Sequence, residues 1–307
     1  MFSKIINNKN CSIAKRINLL IIYKQLMKTI TEMQALATQV RRDIVRMIHA
    51  VQSGHPGGSL GCSDFMTAMF TSVLNHDPKN FTMDGKGQDM FFLSNGHISA
   101  VWYSLLARTG YFPVSELTTF RKLNSRLQGH PTPAEHLPGV RVASGSLGQG
   151  LSVAIGAALS KRLNNDKTLV YSLHGDGELQ EGQIWEAALF ANARKVDNIN
   201  ATIDYNGKQI DGPVDVVMTL GNLRAKWESF GWIVLEMDGH NFDDILTKMT
   251  EAKSLTGQGR PIVILMHTHM GQGVDFMIDK HQWHGSPPSD KDLELALSQL
   301  PETIGDY

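Results

Sequence analysis

Cysteine is nearly absent from this 307-residue chain: Cys11 and Cys62 are its two, far apart and without a CxxC spacing. That argues against a disulfide framework and a cysteine-ligated zinc site, and the chain reads as cytoplasmic. An excess of one charge is missing as well. With 29 Lys and Arg against 30 Asp and Glu, the formal net charge is −1, so neither a polyanion-coating surface nor a nucleic-acid partner is expected. Long apolar runs are lacking. The stretch Ile17 to Tyr23 is interrupted by Asn18 and is far too short to span a bilayer, so no membrane segment is expected, and no small-residue cleavage site clearly follows it. Aromatics make up 7% of the chain, yet 42% of it is hydrophobic, enough to build the core of one large α/β domain or two small ones. There is no internal repeat, no low-complexity tract, and no linker after Glu32.

The first 32 residues differ from the rest. Lys4, Lys9, Lys15, Arg16, Lys24 and Lys28 precede any acidic residue, the first of which is Glu32. Residues 1–32 therefore read as a basic extension, either an over-extended start with Met27 or Met33 as initiator or a transit-type segment; residues 33–307 read as the domain. From Glu32 to about Ser53, the spacing of Leu36, Val40, Ile44, Met47, Ile48 and Val51 predicts a helix. A second helix is expected after Ser63. The runs "DMFFLSNGH", "TLVYSLHG", "INATIDYN", "WIVLEMDG" and "PIVILMHTH" each end in polar or glycine residues and are separated by helix-length segments. They predict an α/β fold with a mostly parallel sheet flanked by helices on both faces. In such sheets ligands sit beyond the carboxyl ends of the strands, so the polar residues closing each strand are the candidates.

Asp176, between two glycines in "HGDGELQEG", closes one strand, and Asn206 closes the next. A carboxylate and an amide oxygen at adjacent strand ends make a sparse hard-oxygen site suited to Mg²⁺, which completes its octahedron with phosphate and water. Asp176 could equally cap a helix starting near Glu178. Elsewhere, His49, His76, His136 and His240 belong to no motif and read as structural or exposed, and His174 reads as packing. His267 and His269 form an HxH without the companions of a zinc site. Gly145 to Gly150, "GSLGQG", is not GxGxxG and calls for no dinucleotide. The stripe Trp185, Leu189, Phe190 reads as core.

The motifs resemble those of transketolases: "GDGELQEGQIWEA" with an Asn thirty residues after its Asp, preceded by "SGHPGGSLGC" (53–62), "LSNGH" (93–97), "LQGHP" (127–131) and "PGVRVASGSLGQG" (138–150), and followed by "WHGSPP" (283–288). Six blocks in family order cover Ser53 to Pro288. The resemblance implies the thiamine diphosphate-binding fold, specifically the domain that holds the diphosphate and its divalent cation, Mg²⁺ or alternatively Ca²⁺ or Mn²⁺. It implies metal ligation by Asp176, Asn206 and the backbone carbonyl of Lys208, and donation from the Gly177 N–H to the diphosphate. His97 and His284 would contact the diphosphate, His284 also taking part in proton movement. His55 and His130 would face the substrate, and Gly145 and Leu147 the thiazolium and aminopyrimidine. Glu181 matches a glutamate near the subunit interface; its alternative is an exposed first-turn helix acid. Where the family usually has a second asparagine, this chain has Gly207.

The implied activity is transfer of a two-carbon ketol unit from a ketose phosphate to an aldose phosphate, the reaction type of the pentose phosphate pathway. A full transketolase continues into a pyrimidine-binding domain and a C-terminal domain. The resemblance is therefore closest to the amino-terminal subunit of a split enzyme, active only with a separate C-terminal subunit in a two-plus-two assembly. Two other readings share parts of the pattern. One is a related thiamine diphosphate enzyme, such as a specialised transketolase or a deoxyxylulose-phosphate synthase, although "QGHP" and "WEA" favour the transketolase branch. The other is a non-catalytic assembly protein on the same fold, against which stand both metal-ligand matches and all four motif histidines.

Overall fold

The structure is a computed structural model that describes residues 28–307; the extension expected over residues 1–32 falls outside the described residues as far as residue 27. Helix α1 (Ile30–Val51) begins ahead of the boundary expected at residue 33, because Thr29 and Glu32 form a capping box. The Glu32 carboxylate accepts from the Thr29 N–H at 2.7 Å, and the Thr29 hydroxyl accepts from the Glu32 N–H at 3.2 Å. Leu36, Val40, Ile44, Met47 and Ile48 form the buried stripe of this helix. Two short helices, α2 (Pro56–Gly61) and α3 (Ser63–Ala68), follow it.

The strands are β1 (Met90–Leu93), β2 (Val170–Gly175), β3 (Ile199–Tyr205), β4 (Lys208–Gln209), β5 (Gly212–Pro213), β6 (Ile233–Asp238) and β7 (Ile262–His267). Each of the five apolar runs supplies one strand of a wholly parallel sheet with the order β1-β2-β3-β7-β6. β4 and β5 form a separate two-residue antiparallel ladder just beyond the end of β3. The remaining helices are α4 (Ser99–Arg108), α5 (Gln149–Leu163), α6 (Gly182–Ala193), α7 (Val214–Met218), α8 (Leu223–Ser229), α9 (Phe242–Leu255) and α10 (Asp290–Gln299).

Side chains alternate across the sheet and feed two cores, one on each face. Phe91, Leu93, Tyr171, Leu173, Ile264 and Met266 pack with α1, α4 and α9. Phe92, Val170, Ile199, Ala201, Ile203, Val263 and Leu265 pack with α5, α6 and α8. The second core is closed by Trp227 and Trp232, both fully buried and edge-to-face at 5.0 Å. These two layers locate the functional crevice. The chain leaves β1 toward α4 on one face but leaves β2 toward α6 on the other, so the loops diverge beyond the carboxyl ends of the two strands and open a cleft there. No helix among the described residues is long and apolar enough to cross a membrane.

Candidate active site

A cavity of about 350 Å³ occupies that cleft, within the range of small-molecule sites. Asn95 and His97 enter it from the β1 exit, Asp176 to Glu181 from the β2 exit, and Asp204 to Ile210 from the β3 exit. His55 and Gly58 come from the loop and start of α2, His130, Gly145 and Leu147 from the segment leading to α5, and His284 from the turn before α10. All eleven residues singled out in the sequence, His55, His97, His130, Gly145, Leu147, Asp176, Gly177, Glu181, Asn206, Lys208 and His284, line this one cavity.

Small residues bring these loops together. A Cβ on Gly96 would collide with the backbone of Ser144, and one on Gly150 would collide with Ser94, so the β1 exit can nest under the segment carrying Gly145 and Leu147. Glu178, fully buried, ties the β2 exit to both neighbours. It accepts from the Gly148 N–H at 2.8 Å, from the Gly175 N–H at 3.1 Å and from the Ser94 hydroxyl. His174 is fully buried, shares a hydrogen bond with the Ser172 hydroxyl at 2.8 Å and faces Glu178, a packing role as expected.

Asp176 is 1% exposed. Its Oδ1 accepts from the Gly177 N–H at 2.7 Å, which caps the following turn, and its Oδ2 accepts from the Gly207 N–H at 2.6 Å, which anchors the loop carrying Asn206. The cap and the bridge between strand ends therefore coexist. The Gly177 N–H is engaged by this carboxylate rather than directed freely into the cavity. Burial, reinforced by the nearby Asp204, pushes the Asp176 carboxyl up to about 7. Asp204 is also raised, by burial, although the donors around it oppose the shift. It accepts from the Asn206 amide at 2.8 Å and from the Thr268 hydroxyl. With its amide nitrogen committed to Asp204, Asn206 keeps its oxygen on the other side, where it accepts from the Lys208 N–H at 2.8 Å.

Two buried carboxyls side by side beside an amide oxygen have the chemistry of a divalent-cation shell, because a cation would offset the burial that raises both and the repulsion from Asp204 that adds to it at Asp176. Among the described residues no group of three or more His, Cys, Asp and Glu side chains is gathered for a metal. A cation here would thus draw on few protein side chains and leave coordination sites for phosphate. Several wall atoms are buried without a partner: both amide atoms of Asn95, Nδ1 of His55 and Nδ1 of His284. Such a wall fits a polar, multiply hydrogen-bonding ligand.

The four motif histidines converge. Ring centroids lie 5.0 Å apart for His55 and His97, 5.1 Å for His97 and His284, 5.7 Å for His55 and His284, and 6.5 Å for His55 and His130. Burial, followed by the neighbouring His284, Arg121 and His130, pulls His55 down to about 4. His97 lies well below its ordinary value, chiefly through burial, and His130 and His284 are lowered by burial as well. Near neutral pH all four are uncharged, each with one donor and one acceptor nitrogen for hydroxyl and carbonyl groups.

A testable consequence concerns acid stability. Between pH 6.5 and 4 the unfolded chain protonates His55 while the folded chain resists, so this contribution to stability is complete above pH 6.5 and is lost as the pH falls. His55→Asn cannot protonate. The stability of the natural chain relative to this variant is expected to fall by on the order of 2 kcal/mol from pH 7 to 4.5, after allowance for partial exposure. Thermal unfolding of both across that range measures it, and a gap independent of pH would contradict it.

The remaining candidates fall elsewhere. His267 pairs with Glu236 at 3.0 Å; His269 pairs with Asp279 at 2.9 Å and stacks on His240, so the HxH gathers no shared metal shell. His49 pairs with Asp290, His76 with Tyr111, and His240 with Asp64. The stripe expected to be core is corrected: Trp185 packs on Trp227 and Phe230, but Leu189 is 59% and Phe190 44% exposed. The inward face of α6 is instead Ile184, Ala187, Ala188 and Ala191. Sequence reasoning also passed over Asn95 and Asp204, although both close strands and so carried the signal that singled out Asp176.

A parallel sheet with a polar crevice between diverging loops defines an α/β cofactor-binding domain. Residues 32–301 match the family described as "Transketolase, thiamine diphosphate binding domain". The chain belongs to the transketolase family, transferases of ketol groups. It is 36% identical to the 6-deoxy-6-sulfo-D-fructose transketolase subunit of a Clostridium species, over 88% of this chain and 96% of that one. It is 35% identical to an apulose-4-phosphate transketolase subunit of Actinobacillus succinogenes, with the same coverage. Human transketolase is 34% identical over 89% of this chain, which spans 43% of the human protein. The crystal structure of Campylobacter jejuni transketolase superposes with a TM-score of 0.81 at 32% identity, covering 89% of this chain and 43% of that one.

Proposed function

We propose that this chain is the amino-terminal subunit of a two-chain transketolase, moving a two-carbon ketol unit from a ketose phosphate to an aldose phosphate. The observation that carries the reading is the convergence of all eleven candidate residues on one cavity at the diverging strand ends. Asp176, the Asn206 amide oxygen and the Lys208 carbonyl hold Mg²⁺, for which Ca²⁺ or Mn²⁺ could substitute. His97 and His284 receive the diphosphate, Gly177 lines the same wall with its N–H held by Asp176, and Gly145 and Leu147 line the ring end. When bound, thiamine diphosphate supplies the carbanion and electron sink. His55 and His130, kept neutral by burial, hydrogen-bond the donor sugar's hydroxyls and the oxygen that gains charge, while His284 accepts or returns a proton at its imidazole.

The partner chain carries the pyrimidine-binding and C-terminal domains and joins this one as two copies of each, with Glu181 near the contact. Relatives spanned over 96% of their length and named as subunits support that division. The cofactor domain includes helix α1 from its cap at Thr29, the basic extension lies ahead of that cap, and the reaction takes place in the cytoplasm as part of pentose phosphate-type sugar exchange. The test is an assay of this chain with its partner chain against a panel of ketose phosphates and sulfo-sugars in the presence of Mg²⁺ and thiamine diphosphate. Ketol transfer is expected from the pair, and His130→Ala should keep the bound cofactor while turnover falls at least about 100-fold. A pair that transfers no ketol unit from any donor would refute the assignment.

A further inference from the structure

Asn95 is the buried polar group in the cavity for which no role has been given. Its side chain is fully buried, and neither its amide nitrogen nor its amide oxygen has a hydrogen-bond partner. Buried amides are nearly always paired, because stripping one of water without replacement destabilises the fold. Its position makes the lack more telling. Asn95 occupies the N-cap position of the turn Gly96–Ile98, where an asparagine ordinarily folds back to bond the free N–H groups, yet its side chain makes no such bond. The amide borders the cavity instead. A Cβ placed on Gly175 would lie 3.9 Å from the Asn95 Cβ, which sets Asn95 directly beside the Gly175–Asp176–Gly177 turn. The same loop carries His97 and runs into the N-terminus of α4, whose first turn has no side-chain cap.

Resting on the assignment of this cavity to thiamine diphosphate, we propose that Asn95 is a ligand contact whose amide nitrogen donates to an anionic oxygen of the diphosphate. The ligand then supplies the bond that the protein withholds. The ligand-free protein carries an unpaired amide, so the side chain trades stability of the empty protein for affinity.

That trade separates a ligand contact from a structural one. The full chain, in complex with its partner chain, is compared with Asn95→Leu, close in volume but apolar, and with Asn95→Asp, which keeps the shape and adds a negative charge. Asn95→Leu is expected to raise the unfolding midpoint of the ligand-free complex by roughly 2–4 °C while weakening Mg²⁺-dependent binding of thiamine diphosphate at least about ten-fold by calorimetry. Asn95→Asp is expected to weaken binding more strongly than Asn95→Leu, and inorganic diphosphate should lose affinity in parallel with the cofactor.

A lowered midpoint in Asn95→Leu with unchanged cofactor affinity would make Asn95 a structural anchor and overturn the inference. Loss of thiamine diphosphate affinity without loss of inorganic diphosphate affinity would move the contact off the diphosphate, and this too would overturn it. An unsubstituted complex that binds no thiamine diphosphate would overturn the cavity's assignment and this contact together. Normal binding in the unsubstituted complex with normal binding in Asn95→Leu would overturn this contact alone.

Discussion

Asp176→Ala is expected to weaken Mg²⁺-dependent binding of thiamine diphosphate by about 100-fold or more, equivalent to roughly 3 kcal/mol. Two effects act together. The substitution removes the charged member of the proposed cation shell, leaving one neutral amide and one carbonyl to hold a divalent ion. It also frees the Gly177 and Gly207 N–H groups, which the carboxylate now accepts at 2.7 and 2.6 Å, so the β2 exit and the Asn206 loop lose their common anchor. Asp176→Asn separates the two effects. An amide oxygen can still accept from one backbone N–H, and a neutral side chain carries neither the cost of burying a carboxylate, which chiefly raises Asp176 to about 7, nor the smaller repulsion from Asp204. The asparagine variant is therefore expected to match or exceed the natural chain in thermal stability without ligand, yet to bind cofactor nearly as poorly as the alanine variant. Calorimetric titration of cofactor at graded Mg²⁺ concentrations measures the affinity. Undiminished binding in either variant would remove Asp176 from the cation shell.

Much of this arrangement can be read from the chain before any coordinates, and the reasons are local. The strands of a parallel sheet buried on both faces are short unbroken apolar runs, so "TLVYSLHG" and "PIVILMHTH" mark β2 and β7 directly. The polar residue that ends each run stands at the carboxyl edge whatever the helices do, which is why Asp176 and Asn206 could be placed side by side. What escaped depended on three-dimensional information. Asn95 and Asp204 also end strands, but their interest lies in their partners: none for the first, and the donors Asn206 and Thr268 for the second. Helix α6 misled for a different reason. Its large side chains, Leu189 and Phe190, look like the buried ones, but the face of α6 that enters the core is made of Ile184 and three alanines, which leaves the large residues outward. Helix α1 began early because a Thr29–Glu32 capping box, visible in the sequence, outweighs the change in composition used to set the boundary.

Leu189 and Phe190 on α6 are among several large apolar side chains that the fold leaves exposed. Val216, Val217 and Met218 in α7 are 79%, 41% and 52% exposed, and Ile210, 59% exposed, lies on the cavity wall itself. The Gln180 side chain donates to the Met218 carbonyl at 2.8 Å, linking α7 to the turn that follows Asp176. Ile210 and α7, exposed and apolar beside a polar cavity, are a poor surface for water and suit the second chain of the proposed pair. Phe190→Asp and Val216→Asp are expected to leave the unfolding midpoint of the isolated chain nearly unchanged, because exposed substitutions of this kind shift stability by only about 0.5 kcal/mol. Combined, they should weaken association with the partner chain about 100-fold or more, as loss of central aromatic and aliphatic anchors does at other interfaces. Ketol transfer should fall in proportion and recover when the partner is supplied in excess, since a defect of association yields to mass action and a defect of catalysis does not. Sedimentation velocity on mixtures of the two chains gives the first quantity, and a partner titration of the activity gives the second. Full activity from the isolated chain, or unchanged association in the double variant, would move the contact away from Phe190 and Val216.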